Sequence, residues 1–133
     1  HSKMKEKAVE TAIMQFIRYS GGWCQKVQSG AMLAGYTRKG RGATPPGFRQ
    51  YKVKLADEGT PDILACIGGK FVAIEVKKDE KEIEKWKRDS EIDQRSIVQH
   101  AQQDLIRQAG GITIVACSVD EVQRDFAELG LIH

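Results

Sequence analysis

Two acids and a lysine, Asp62, Glu75 and Lys77, lie either side of a Gly68-Gly69 pair that joins two apolar runs, Asp62 to Ile67 and Lys70 to Lys77. Apolar runs flanking Gly-Gly predict a two-residue β-hairpin, because the favoured turn needs positive φ at its central positions. Ile67 then faces Lys70, and counting outward Leu64 faces Ala73 and Asp62 faces Glu75. Directly opposed residues bring their Cβ atoms to roughly 5 Å, so these two carboxylates repel each other. Stability alone would not select that pair. A hard divalent cation, Mg2+ or Mn2+, resolves the repulsion, since it takes oxygen ligands from one or two carboxylates and keeps positions for water and a phosphate oxygen. Lys77 follows Glu75 by two residues and so shares its strand face. There it can orient or deprotonate an attacking water, or hold a phosphate oxygen as charge builds. Those parts suit phosphodiester hydrolysis. A non-catalytic reading exists for the same residues: Asp62 caps the turn after Thr60-Pro61, and Glu75 and Lys77 form a neighbouring ion pair. The Gly59-Thr60-Pro61-Asp62 entry, the apolar hairpin and a basic segment upstream favour the catalytic one.

That basic segment runs from Gln25 to Lys54 and holds seven basic residues, Lys26, Arg38, Lys39, Arg41, Arg49, Lys52 and Lys54, with no acid. Gly35, Gly40, Gly42, Pro45, Pro46 and Gly47 punctuate its centre, which predicts a loop over Tyr36 to Gly47. A cationic loop between strands can clamp a polyanion, because each phosphate neutralised releases a counterion. Its plain alternative is a solvated loop. By contrast, Lys77 to Arg95 carries seven basic and seven acidic residues and nets to zero. Such density of mixed signs predicts an exposed helix laced with ion pairs, with no chemical role beyond Lys77.

The elements that must position these groups follow from periodicity. Val9, Ala12, Ile13, Phe16 and Ile17 recur at helical spacing and Gly21-Gly22 ends the run, so residues 4 to 20 read as an amphipathic helix. Strands are expected at Trp23 to Gln28 and Phe48 to Lys54, then in the central hairpin, whose two apolar faces predict burial on both sides. Ser96-Ile97-Val98-Gln99 has capping-box spacing and opens a helix that Gly110-Gly111 closes. Ile112 to Cys117 reads as a buried strand, and Ser118 to Glu121 as a second capping box opening a last helix to about Leu129. Helix, several strands, helix, strand, helix, with no repeat or linker, predicts one α/β domain over 1–133, a mixed central sheet flanked by helices.

In order, Gly59-Thr60-Pro61-Asp62, Ile74-Glu75-Val76-Lys77 and Ser96-Ile97-Val98-Gln99 resemble the motifs of the PD-(D/E)XK nuclease superfamily, and the last spacing is similar to the VRR-NUC family. The resemblance spans nearly the whole chain. It implies a restriction-endonuclease-like α-β-β-β-α-β core and Mg2+- or Mn2+-dependent cleavage of branched DNA such as Holliday junctions. It also implies a homodimer, in keeping with a symmetric junction that needs two cuts from a small chain. By the family pattern Asp62, Glu75 and the Val76 carbonyl would bind metal, Lys77 would serve the nucleophilic water, and Gln99 would support the site. Related junction resolvases add a glutamate from the first helix and a strand ending in Ser-Gly. Here the matching pattern is Glu10, with Glu6 one turn earlier as its rival, and Gln28-Ser29-Gly30, which adds Ser29 to the nucleic-acid contacts. One departure is the insertion of most of Lys78 to Arg95 before the Ser-x-x-Gln helix. It could cover the site, extend a dimer surface or touch substrate.

Composition sets the outer bounds. The chain of 133 residues carries 21 Lys plus Arg against 18 Asp plus Glu, and 29% charged beside 41% hydrophobic residues places it among ordinary globular domains. No apolar run is long enough for a membrane span and no signal pattern opens the chain, which predicts an intracellular, cytoplasmic protein, and the family resemblance implies a bacterial cell or phage-infected host. Cys24, Cys66 and Cys117 lack metal-ligand spacing and sit in apolar runs, so reduced core thiols are expected. Two other functions fit less of this pattern: a nucleic-acid-binding module that does not hydrolyse, for which two clustered acids are useless, and a small phosphoesterase acting on free nucleotides, for which the long basic loop is superfluous.

Overall fold

The computed structural model describes residues 2–28, 30–37 and 48–133, with side chains for 4–28 and 56–133. Helix α1 (Ser2–Tyr19) is followed by β1 (Trp23–Lys26), β2 (Gly30–Thr37), β3 (Phe48–Ala56), β4 (Ile63–Ile67) and β5 (Lys70–Val76). After these come α2 (Glu80–Arg88), α3 (Gln94–Gln108), β6 (Ile112–Ala116) and α4 (Val119–Glu128). The fold is α/β, with a mixed four-stranded sheet in the order β1-β4-β5-β6 and helices flanking it.

The central hairpin has the expected register, with Ile67 opposite Lys70, Leu64 opposite Ala73 and Ile63 opposite Ile74. Gly68 (φ 59°) and Gly69 (φ 76°) supply the two positive φ angles that a tight turn matching the strand twist demands. Strand β1 pairs antiparallel with β4, and β6 pairs parallel with β5, the crossover between them being made through α2 and α3. One sheet face, Ile63, Ala65, Ile67, Val72, Ile74 and Val76, packs on Ile13 and Ile17 of α1 and Val122 and Phe126 of α4. Each of these large side chains contributes about 1.5–3 kcal/mol on burial, and the apolar period of α1 is explained by them.

The opposite face is only partly covered. Helix α3 packs over the β5–β6 side, where Ile106 reaches the Gly111 backbone and Phe71 lies beside it. Nothing among the described residues covers the β1–β4 side near the turn, so Trp23 and Cys66 are exposed and Phe71 is 44% exposed. Burial on both faces of the hairpin therefore holds only at its site end, and of the three free thiols Cys24 alone is buried.

Several further details depart from the sequence reading. Phe48 to Lys54 is a strand as expected, within β3, which pairs with β2 in a hairpin of its own, and Tyr36 and Thr37 belong to β2 rather than to the loop. The N-cap of α3 is Asp93, whose carboxylate accepts from Ser96 N–H at 3.0 Å, so Ser96 to Gln99 lies inside the helix and is not a capping box. Strand β6 stops at Ala116, one residue short. At α4, Ser118 does cap, accepting from Glu121 N–H, while the Glu121 side chain takes a hydrogen bond from Cys117 Sγ instead of closing a box.

Candidate active site

The site is built at the end of the hairpin away from its turn. A tight turn at Asp57 to Thr60, closed by Thr60 N–H and Oγ–H donating to Asp57 O, delivers the chain through buried Pro61 to Asp62. Gly59 (φ 79°) lies against α3: a Cβ there would stand 2.6 Å from Val98 Cγ1 and 2.7 Å from the Val98 backbone. Only glycine permits this approach, which ties the Asp62 loop to the turn of α3 that carries Gln99. Asp62 is then held twice, its carbonyl accepting Val27 N–H at 2.8 Å and its Oδ2 accepting Val76 N–H at 2.8 Å. This second bond ties the carboxylate to β5 rather than capping the turn after Thr60-Pro61, which is closed instead by Thr60 on Asp57 O.

Glu75 is buried with its side chain 3% exposed, and its Oε2 has no hydrogen-bond partner. Burial pushes its carboxyl up to about 8, the Asp62 charge adds to this, and Lys77 and Arg95 pull it back. Asp62 is also raised, by burial first, against the lowering effect of the Val76 N–H, with Glu10 adding to the rise. A buried carboxylate oxygen without a donor is costly, and its neighbour is another acid. Lys77, buried, places Nζ 3.7 Å from Glu75 Oε1 and donates to Gln99 Oε1 at 3.1 Å. The same Gln99 oxygen accepts from Trp86 Nε1 at 2.6 Å, and Lys77 Nζ lies 5.6 Å from the centre of the Trp86 ring.

On α1, Glu10 is buried and its Oε2 stands 3.1 Å from Lys26 Nζ of β1. Glu6, one turn away, is raised by its own burial, by Glu82 of α2 and by Asp62, against Lys77. Both candidate helix acids therefore act on the Asp62 end of the hairpin. Ser29, Arg38, Lys39 and Arg41 lie outside the described residues; Arg49 and Lys52 fall on β3, with side chains outside the described ones. Lys26 is accounted for by its pairing with Glu10.

A hard cation fits the donors here: two apposed carboxylates, one oxygen of which is buried without a partner. The oxygens of Glu10, Asp62 and Glu75 do not all come within 4.8 Å of one another, so the compact set is the Asp62–Glu75 pair. Among the described residues the trio that meets that spacing is Glu80, Cys117 and Glu121. There Sγ donates to Glu121 Oε1 at 2.8 Å, and burial, the hydrogen bond to Glu121 and further acids hold the thiol up at about 12.

Two open cavities meet at Gln99 and Arg95. One, of about 530 Å³, contains Asp62, Glu75 and Thr60 in its walls; the other, of about 500 Å³, contains Lys77, Lys81, Lys85 and Trp86. The charged stretch after Lys77 is thus not only a solvated surface. Its helix α2 buries Ile83 and Trp86 toward the site, and Arg95 adds a positive charge over Glu75. The signal was present as two apolar residues three apart in an otherwise charged run, the spacing of one helix face. No helix among the described residues is long and apolar enough to cross a membrane. No protein-family model, curated protein or solved structure matches this chain.

Proposed function

We propose that this chain is a Mg2+- or Mn2+-dependent endodeoxyribonuclease of the VRR-NUC type, selective for branched DNA such as Holliday junctions and acting as a homodimer. The observation that carries the reading is Glu75, buried beside Asp62 with an unpartnered oxygen and a pKa near 8. A stable fold gains nothing from that arrangement, whereas a cation site uses it. Asp62 and Glu75 would hold the ion, with the Val76 carbonyl at the same strand end and Glu10 supporting from α1. When bound, the ion supplies neutralisation of both acids and Lewis acidity toward a phosphodiester oxygen.

The protein's own groups divide the remaining work. Lys77 Nζ, held between Glu75 and Gln99, is placed to hold a phosphate oxygen or to take and return a proton of the attacking water. Gln99 fixes the direction of that ammonium. The basic residues between β1 and β4 supply sequence-independent grip on the phosphate backbone.

The test is hydrolysis of labelled four-way junction, flap, single-stranded and linear duplex DNA, with Mg2+, with Mn2+ and with chelator, by the wild type and by Asp62→Asn. Metal-dependent cutting of branched DNA, lost in the variant, supports the reading. Binding without cutting by the wild type would replace it with a non-catalytic binding module. Hydrolysis of free nucleotides alone would replace it with a phosphoesterase.

A further inference from the structure

Helix α2 belongs to a stretch whose seven basic and seven acidic residues cancel, yet it sends a neutral aromatic side chain into the site. Trp86 is 7% exposed, and its ring stacks on His100 at 3.6 Å between centroids and 19° between planes. His100 is itself tied to its helix through Nδ1 and Ser96 O, 2.7 Å apart. The indole therefore sits on a fixed platform, and its N–H points at Gln99 Oε1, 2.6 Å away.

An amide oxygen has two lone pairs, and here both are taken: one by the Trp86 N–H, one by the Lys77 ammonium. The last torsion of a glutamine is soft, so a single donor would leave the oxygen free to swing. Two donors converging from different elements leave one orientation, because turning the amide would bring its NH2 against an N–H and an ammonium. Lys77 is thereby held within reach of Glu75 rather than released toward the cavity that its stem borders.

We propose that Trp86 is a positioning residue, whose indole N–H locks Gln99 so that Gln99 can aim Lys77 at the Glu75 end of the hairpin. The clamp rests on the nuclease reading for what Lys77 accomplishes, but not for its existence. If Trp86 only fills space, a ring of the same shape without the N–H serves equally well.

The experiment replaces Trp86 by β-(3-benzothienyl)alanine, an isostere with sulfur in place of N–H, in a Trp23→Phe background where position 86 is the sole tryptophan site. Trp23 is exposed and stands on the uncovered part of the sheet. Expected is a melting temperature lower by no more than a few degrees, the cost of one lost hydrogen bond, with kcat for junction cleavage about tenfold lower and KM changed by less than about twofold. Equal kcat overturns the proposal. A second measurement needs no activity: the single indole N–H of the Trp23→Phe protein should exchange with solvent at least about tenfold faster in Gln99→Leu, where its acceptor is gone. Unaltered exchange overturns the clamp. Should the wild type cut no DNA, the nuclease reading falls while the exchange result still decides for or against the clamp.

Discussion

Asp62 Oδ2 accepts the Val76 N–H at 2.8 Å, which latches the first acid of the site to the strand that carries the second. Swinging the Asp62 side chain away from Glu75 would break that bond. The repulsion between them is built into the ladder, and it makes the site sensitive to protons and cations.

The pH dependence of stability follows from Glu75. Its pKa is raised in the folded state to about 8, from an ordinary 4.5, so the folded protein keeps a proton that the unfolded chain has lost between these values. Its contribution is present in full below about pH 4.5 and is lost as pH rises toward 8, at up to about 1.4 kcal/mol per pH unit. Asp62 and Glu6, also raised, act in the same direction. Metal-free protein should therefore melt at progressively lower temperature between pH 5 and pH 8. In Glu75→Gln that slope should largely vanish, and millimolar Mg2+ should flatten it in the wild type. An identical slope in the variant would remove Glu75 from the explanation.

Asp62→Asn keeps an acceptor for Val76 N–H while removing the like charge, so the fold should stand and the Glu75 pKa should fall. Lys77→Met leaves the two acids without their nearest cation and should raise it. Both variants should lose at least about 100-fold in cleavage, the usual scale for a proton-handling or charge-stabilising group. Junction affinity, which rests on phosphate contacts, should stay within about tenfold. Gel-shift titration beside cleavage assays separates the two effects, and retained cleavage in either variant rejects the assigned site.

Glu10 and Glu6 can be told apart by metal affinity. Glu10→Gln breaks a pair with a partly exposed lysine and should alter stability by less than about 1 kcal/mol. If Glu10 supports the ion, calorimetric titration with MnCl2 should show about tenfold weaker binding, while Glu6→Gln should change it little. The reverse ranking would hand the role to Glu6.

Gly59→Ala introduces a Cβ against the Val98 backbone at a positive φ. A cost of about 1–3 kcal/mol is expected, with a melting point lower by several degrees, because neither the helix backbone nor the loop can give easily. Cleavage should fall further than stability, since the displaced turn carries Gln99. Wild-type stability in this variant would show that α3 is not seated on Gly59.

Replacing Arg38, Lys39 and Arg41 by Ala should weaken DNA binding and lower the salt slope of affinity by up to about 0.9 per residue removed. Fluorescence anisotropy over a salt series measures both quantities. Unchanged affinity and slope would leave that segment with no part in binding.

Local chemistry made the hairpin and its register legible: Gly68-Gly69 permits one turn, and one turn fixes which residues oppose. The start of α3 was misplaced because Asp93 and Ser96 are both good caps three residues apart, and sequence does not rank them; the earlier one won. Strand β2 escaped notice because Ala31 to Ala34 has no β-branched residue, and its pairing with β3 rather than the central sheet is a tertiary choice. Trp86 was hidden by the charges around it. Exposure of Cys66 depended on how far α3 extends across the sheet, which no window of residues encodes.

The β2–β3 hairpin leaves the central sheet after Lys26 and the chain returns at Asp62, where Val27 N–H is bonded to Asp62 O. Its two roots are pinned together like the base of a handle. Changes in the length or composition of the handle are thereby insulated from the spacing of Asp62 and Glu75.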